Sequence, residues 1–320
     1  MLTGLRDSPQ FLRDADAAAG LNHGDLVQAI EDAFRRSRDS YVMPQRMILP
    51  RGTQTVLVMP CFAADVFGIK IVTVTREPGR GPRVLKANYT LYDGKTGEAL
   101  LVMDADVLTD LRTAATSAVA TRLMARTDSG VLGIFGTGRQ ALAHLSVVLT
   151  VRKFAEVLVC GSSLARSAAF AEMASEKCGL PVRAVDAATC AADSHVLCTC
   201  TTSTTPLFDG KLLQPGVHVN AVGAFRPDTR ELDDETILRS RVVVDTYEGA
   251  PVEAGDLLIP RKNHTVGPDH IIGDLHDGLS GKKIIRRDSS DITLFKSVGC
   301  ALEDLAAARL LLEARALSKR

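Results

Sequence analysis

Across residues 55–59, 66–75, 84–93 and 99–104, apolar and polar side chains alternate. A period of two is that of a strand with one face against a core. Turn signals separate these segments: Pro78-Gly79, Gly81-Pro82, and Asp93-Gly94 with Gly97. The pattern predicts a mostly antiparallel sheet. Before it, residues 22–38 place Leu26, Ile30, Ala33 and Phe34 on one helical face, with Asn22 as the cap. After it, an alanine-rich stretch predicts a long helix over 106–126. From Gly130 the pattern becomes strand-helix alternation, with strands expected at 131–135, 157–160, 182–185, 195–200, 217–221 and 241–245. Such alternation predicts a doubly wound parallel sheet. A last helix, 299–317, carries Leu302, Leu305, Ala308 and Leu312 at helical spacing. It lies beyond the last expected strand, so it is free to return to the first domain.

The run from Val131 to Ala141 breaks from an apolar strand into Gly136-Thr137-Gly138-Arg139-Gln140-Ala141 and then a helix. This is the G-x-G-x-x-A form of a dinucleotide-binding turn. Gly136 allows the tight turn, Gly138 lets backbone approach a pyrophosphate, and Ala141 lets the helix pack closely on the strand. The helix N-terminus presents amides and partial positive charge to phosphate. An unrelated glycine turn can share this spacing. The segment from Glu156 to Cys160 reads as a second strand about 20 residues on, where a ribose-reading residue belongs. No acid stands there: the run is Cys160-Gly161-Ser162-Ser163-Leu164-Ala165-Arg166. An acid would bind the ribose diol of NAD and repel a 2′-phosphate. Ser162, Ser163 and Arg166 can hold that phosphate, which favours NADP(H) over NAD(H). The alternative makes Ser162 a helix cap and Arg166 a solvated charge.

Composition narrows the class. A length of 320 residues suggests two domains, or one large domain with an elaboration, and 46% hydrophobic with 24% charged residues argues for a buried core and against disorder. A net charge of zero gives no reason to expect nucleic acid or an anionic membrane as partner. The seven cysteines are scattered; Cys198 and Cys200 share one face of an apolar strand, as buried thiols do. The seven histidines show no ligand spacing, so no metal is expected. No apolar run suits a membrane span and the first residues lack a signal-peptide core, so the expected location is cytoplasmic.

Three cations stand in unusual contexts. Arg46 follows Met43-Pro44-Gln45, Lys70 interrupts the apolar strand Phe67-Gly68-Ile69-Lys70-Ile71-Val72, and Arg112 lies in Leu111-Arg112-Thr113-Ala114-Ala115. A strand lysine usually faces solvent, and Arg112 could serve helix packing through its stem. Converging, the three would hold a carboxylate and leave a proton donor; spacing does not show that they converge.

The segments GIKIVTVTRE (68–77), ANYTLYDGKTGEALLVMDADVLTDLRTAATSAVATRL (87–123), GIFGTGRQA (133–141), HVNAVGAFRPDTRELDDE (218–235) and FKSVGCALEDLAAARL (295–310) occur in order over nearly the whole chain. Together they resemble the ornithine cyclodeaminase/mu-crystallin family. The resemblance implies an α/β protein: a Rossmann doubly wound parallel sheet plus an α+β substrate and dimerisation domain with a mostly antiparallel sheet. It implies a first domain over 1–125, a nucleotide-binding domain over 126–290 and a C-terminal helix, 291–320, returning to the first. It also implies a homodimer.

By resemblance, Lys70 and Arg112 are catalytic, and Arg46, Lys70, Asn88, Arg112 and Phe225 meet the substrate. Thr113, Gly136, Thr137, Gly138, Arg139, Gln140, Ala141, Thr201, Val222, Gly223, Ala224, Lys296 and Ser297 are expected along the cofactor, with Ser162, Ser163 and Arg166 at its ribose. For the segments 222–224 and 296–297, a plain strand end and helix start is the competing reading. The cyclodeaminases and alanine dehydrogenases of the family carry an Asp after the V-G-(A/G) segment, where this chain has Phe225. Phenylalanine cannot accept a proton or pair with an ammonium, but it suits an apolar ring. The pattern resembles the branch reducing the cyclic ketimines Δ1-pyrroline-2-carboxylate and Δ1-piperideine-2-carboxylate to L-proline and L-pipecolate. Cyclodeamination of ornithine or lysine, alanine or opine-type dehydrogenation, and a non-catalytic NADPH-dependent ligand-binding role like that of a crystallin are the alternatives.

Overall fold

A computed structural model describes residues 10–75 and 84–318, so the turn signals at 78–82 lie outside the described residues. The chain divides into two compact units, one running to Arg112 and resuming at Cys300, the other spanning Thr113–Gly299. Both divisions differ from the expected ones. The first falls inside a helix rather than after it. The second comes after the strand at 292–296, which was expected to belong to the C-terminal segment.

The first unit contains β1 (Gln10–Leu12), β2 (Tyr41–Val42), β3 (Met47–Arg51), β4 (Gln54–Ala63), β5 (Val66–Thr75), β6 (Val84–Asp93) and β7 (Ala99–Asp104). They form one sheet in the order β1-β7-β6-β5-β4-β2, with β3 also on β4. All pairs are antiparallel except β1 with β7. Helices α1 (Asp14–Gly20) and α2 (His23–Arg35) precede β2. Asn22 caps α2, its side chain accepting from the amides of Gly24 and Asp25. The helix stops at Arg35, short of residue 38, because a 3-10 turn over Arg38–Ser40 follows.

Helix α3 (Asp106–Met124) crosses the division between the units. Within the second unit, Asn220 donates to its Thr121 hydroxyl at 2.9 Å. Its C-terminal carbonyls are closed by Arg152, 3.0 Å from Arg122 O, and by Arg286, 2.7 Å from Met124 O. Helix-end carbonyls lack intrahelical donors, and arginine supplies them.

The second unit carries β8 (Val131–Phe135), α4 (Arg139–Val148), β9 (Glu156–Cys160), α5 (Leu164–Cys178), β10 (Val182–Ala184), α6 (Ala187–Asp193), β11 (Val196–Thr199), β12 (His218–Ala221), α7 (Asp234–Arg239), β13 (Ser240–Val244), α8 (Ala250–Glu253), α9 (Gly255–Lys262), β14 (Ile271–Asp274), α10 (Leu275–Leu279) and β15 (Ile292–Lys296). The eight strands are parallel, in the order β10-β9-β8-β11-β12-β15-β13-β14. The order reverses between β8 and β11, the switch point at whose carboxyl side such sheets bind ligands. β15 was not foreseen: it enters between β12 and β13, every residue buried, and its lysine disguises it.

Helix α11 (Ala301–Ser318) belongs to the first unit. It packs on α2, β4, β5 and β6. Leu302, Leu305, Ala308 and Leu312 are buried as their spacing predicts.

Candidate active site

In the first unit, β5 sets Lys70 on the same face as Val66, Gly68 and Val72, all buried. The lysine is therefore not a solvent-facing one: it is 1% exposed. Its ammonium donates to Asp304 Oδ1 at 2.7 Å and lies 2.7 Å from Oδ2. Arg112, also buried, donates from Nε to Asp304 Oδ1 at 3.1 Å and from Nη1 to Glu303 Oε2. Lys70 and Arg112 thus converge, through two carboxylates in the first turn of α11. Cys300 N donates to Glu303 Oε1 at 3.3 Å, which ties that carboxylate to the start of the helix.

The environment tunes these groups. Burial and the neighbouring Arg112 charge lower the Lys70 pKa to about 8 against the opposing pull of Asp304 and Glu303. Burial and the Asp304 charge hold the Tyr89 hydroxyl and the Cys61 thiol protonated, the latter pushed up to about 12. Tyr89 pairs with Lys70 across β5 and β6, and its hydroxyl overlies Gly68, where a Cβ would stand 1.8 Å from it. A buried lysine poised near neutral pH can give or take a proton; the arginine beside it stays a cation.

The other substrate candidates fall differently. Arg46 is half-buried immediately before β3. Asn88 does not join the cluster. It pairs with the exposed Ile71 and projects to the sheet face opposite Lys70 and Tyr89, because side chains alternate along β6. Phe225 is half-buried in the second unit, on the segment after β12.

In the second unit the glycine turn leaves β8 as its sequence requires. Gly136 has φ +114°, and a Cβ there would stand 2.6 Å from the Cys200 carbonyl oxygen. Gly138 is the N-cap of α4 and carries no capping side chain; a Cβ on it would meet nothing within 4 Å, so backbone there is open to close approach. Ala141 is buried. The first intrahelical bond runs from Leu142 N to Gly138 O, so the amides of the first turn precede the helical ladder. His144 braces this turn. Its Nδ1 donates to Gln140 O at 2.8 Å, and Nε2 accepts from the Ser117 hydroxyl at 2.9 Å. Burial pulls the His144 pKa down to about 4, so the ring is neutral. The backbone cradle and helix end fit a dinucleotide pyrophosphate. Thr137 lies against Gly161, where a Cβ would be 2.7 Å from the Thr137 methyl. Gly136→Ala should cost about 1–3 kcal/mol through left-handed strain, with loss of dinucleotide affinity. A thermal melt and a cofactor titration test this; unchanged values would refute the assigned role of the turn.

At the end of β9, Ser162, Ser163 and Arg166 are all exposed. Ser163, rather than Ser162, caps the helix, its hydroxyl accepting from Arg166 N at 3.3 Å. Thr113 and Arg139 lie at the first unit's boundary on α3 and at the start of α4. At the ends of β11 and β12, Glu231 is a buried hub missed in sequence. Its carboxylate accepts from Thr199 Oγ1 (2.8 Å), Thr201 N (2.7 Å), Thr201 Oγ1 (2.7 Å), Gly223 N (2.8 Å) and Ala224 N (3.2 Å). Asp256 Oδ1 accepts from the amides of Glu231 and Leu232, and Asp256 Oδ2 lies 2.8 Å from Lys296 Nζ.

Lys296 and Ser297 are engaged within the second unit. Lys296 is fully buried and donates to Ala224 O at 2.6 Å, so its ammonium tethers the 222–224 segment. Ser297 is likewise engaged inward: its hydroxyl donates to Asp245 Oδ2, which also takes the amides of Val298 and Gly299. Acids such as Glu231, Asp256, Glu303 and Asp304 left a weak signal in sequence, because first-turn and loop acids are common for capping alone. Among the described residues, no group of three or more His, Cys, Asp or Glu is arranged to hold a metal ion.

A mostly antiparallel sheet with a returning helix, a doubly wound parallel sheet with a glycine turn, and a buried lysine–arginine–carboxylate cluster define a two-unit α/β protein of the dinucleotide-dependent kind. Residues 9–319 match the ornithine cyclodeaminase/mu-crystallin family, and the chain belongs to it. It is 36% identical over 307 residues to the Delta(1)-pyrroline-2-carboxylate reductase of Bacillus cereus, covering 93% of this chain and 94% of that protein. It is 34% identical over 316 residues to the ketimine reductase mu-crystallin of Mus musculus, covering 96% and 97%. The structure of Thermococcus litoralis Delta(1)-pyrroline-2-carboxylate reductase in complex with NADH and L-proline matches with a TM-score of 0.91 at 33% identity, covering 97% of this chain and 98% of that one.

Proposed function

We propose that this chain reduces cyclic ketimines, Δ1-pyrroline-2-carboxylate and Δ1-piperideine-2-carboxylate, to L-proline and L-pipecolate. The observation that carries this reading is the buried meeting of Lys70 and Arg112 on Asp304. The identity to pyrroline-2-carboxylate and ketimine reductases supports the substrate class. Arg112, with Arg46, binds the substrate carboxylate. Lys70 gives a proton to the imine nitrogen, and the iminium so formed is a far better electrophile than the neutral imine. A reduced nicotinamide, when bound at the glycine turn, would supply the hydride that the imine carbon takes up. Phe225, in place of an acid, lies against the apolar ring methylenes. One methylene changes binding by only about 1–3 kcal/mol in such a pocket, so both ring sizes are accepted.

The cofactor is NADP(H) in preference to NAD(H). Support comes from the missing acid at the end of β9 and from the exposed Ser162, Ser163 and Arg166 there. The partner is a second copy of the chain. Val42, Met47, Phe62 and Ile71, all exposed on the same face of the first unit's sheet, supply an apolar surface suited to it. Among the described residues no helix is long and apolar enough to cross a membrane.

Absorbance loss of NADPH and NADH with Δ1-pyrroline-2-carboxylate, beside an ornithine assay with NAD, tests the proposal. Rapid oxidation, faster with NADPH, and no proline from ornithine is the expected result. Proline from ornithine without imine reduction overturns it.

A further inference from the structure

Glu231 is fully buried, and every partner of its carboxylate is a donor: three amides and two hydroxyls. Burial pushes its pKa up. The donor set opposes that effect, since a protonated carboxyl would aim its O–H at a donor and leave an amide unmet. Glu231 is therefore a carboxylate. The charges it feels are Lys296 and Asp256. Both are fully buried and 2.8 Å apart. Two carboxylates and one ammonium leave one negative charge in the interior beneath the segments that follow β11 and β12.

That position has a chemical meaning in a doubly wound sheet. The pyrophosphate sits at the turn after β8, and the adenosine ribose is read at the end of β9. The other half of a dinucleotide then extends across the switch point, over the ends of β11 and β12. Those ends are the backbone Glu231 grips at Thr201, Gly223 and Ala224. The dihydronicotinamide ring is neutral; losing one hydride, a proton with its electron pair, would leave the ring with a positive charge.

We propose that the carboxylate of Glu231 stabilises the positive charge of the oxidised nicotinamide ring, besides holding the 222–224 segment in place. A fixed anion in a water-poor interior does this without reorganising as the charge develops. The inference rests on the reading that the glycine turn binds a nicotinamide dinucleotide. It assigns Glu231 a positioning and electrostatic role, with no contact to substrate required.

The test is binding without substrate. Dissociation constants for NADP+, NADPH, NAD+ and NADH are measured by calorimetry on wild type, Glu231→Gln and Glu231→Asp. Glu231→Gln should weaken the oxidised forms on the order of tenfold more than the reduced forms. Glu231→Asp keeps the charge and should keep the oxidised-to-reduced ratio even where both affinities fall. An equal loss for both forms in Glu231→Gln, or an unchanged ratio, overturns the inference and leaves the cofactor reading standing. Wild type binding neither form overturns the cofactor reading, and this inference with it. If Glu231→Gln does not fold, Asp256→Asn removes one negative charge from the same cluster and is judged by the same ratio.

Discussion

Lys70→Ala is expected to lower kcat/KM for imine reduction by on the order of 10²–10⁴, the ordinary worth of a positioned general acid. The neighbouring Tyr89 hydroxyl and Cys61 thiol hold their protons more tightly than usual, pushed up by burial and the Asp304 charge. The pH profile gives the sign. Lys70 must carry its proton to act, and its pKa is lowered to about 8. Reduction should therefore run on a plateau below that value and fall about tenfold per pH unit above it. A steady-state pH series with substrate varied at saturating cofactor checks both points. Near-normal kinetics in Lys70→Ala, or a wild-type profile flat to pH 10, would remove Lys70 from the chemistry.

Asp304→Ala should destabilise the protein by about 3–5 kcal/mol, because it strips a shared counter-ion from two buried cations. Lys70 and Asp304 are 1% and 0% exposed in their side chains, so water cannot substitute for the lost carboxylate. Arg112 would keep Glu303, whereas Lys70 would lose the anion it touches. Urea unfolding monitored by circular dichroism measures the loss. A change under about 1 kcal/mol, the range of exposed pairs, would show the cluster to be solvated. Asp304→Asn refines the result. Asp304 raises the Lys70 pKa, so its neutral isostere moves the basic limb of the activity profile to lower pH. A purely structural aspartate would leave that limb where it is.

The two residue groups differ in how far the chain announces them. The glycine turn was legible because local conformation demands it: φ +114° at Gly136 and a Cys200 carbonyl at its back admit no side chain. β5 and β6 were legible to the residue because a half-buried strand must alternate. Lys70 stood out as a break in that alternation, yet the break had two meanings. Only α11, folding onto β5 and bringing Asp304, makes the lysine a buried cation. Asn88 lies apart from that cluster for the complementary reason: it shares a strand with Tyr89, but one residue of register puts it on the opposite face. Lys296 looked like a cofactor contact, and Asp256 with Ala224 O makes it an internal tether.

What the chain determined by itself is therefore what depends on near neighbours: strand periodicity, the glycine turn, helix caps such as Asn22, and the absence of an acid after β9. What tertiary structure decided is which distant charges meet. Lys70 and Asp304 lie 234 positions apart, Arg112 and Glu303 191. Local pattern carries no information across such separations. A buried charge is tolerated only where folding delivers its counter-charge, and that pairing is a property of the packed chain.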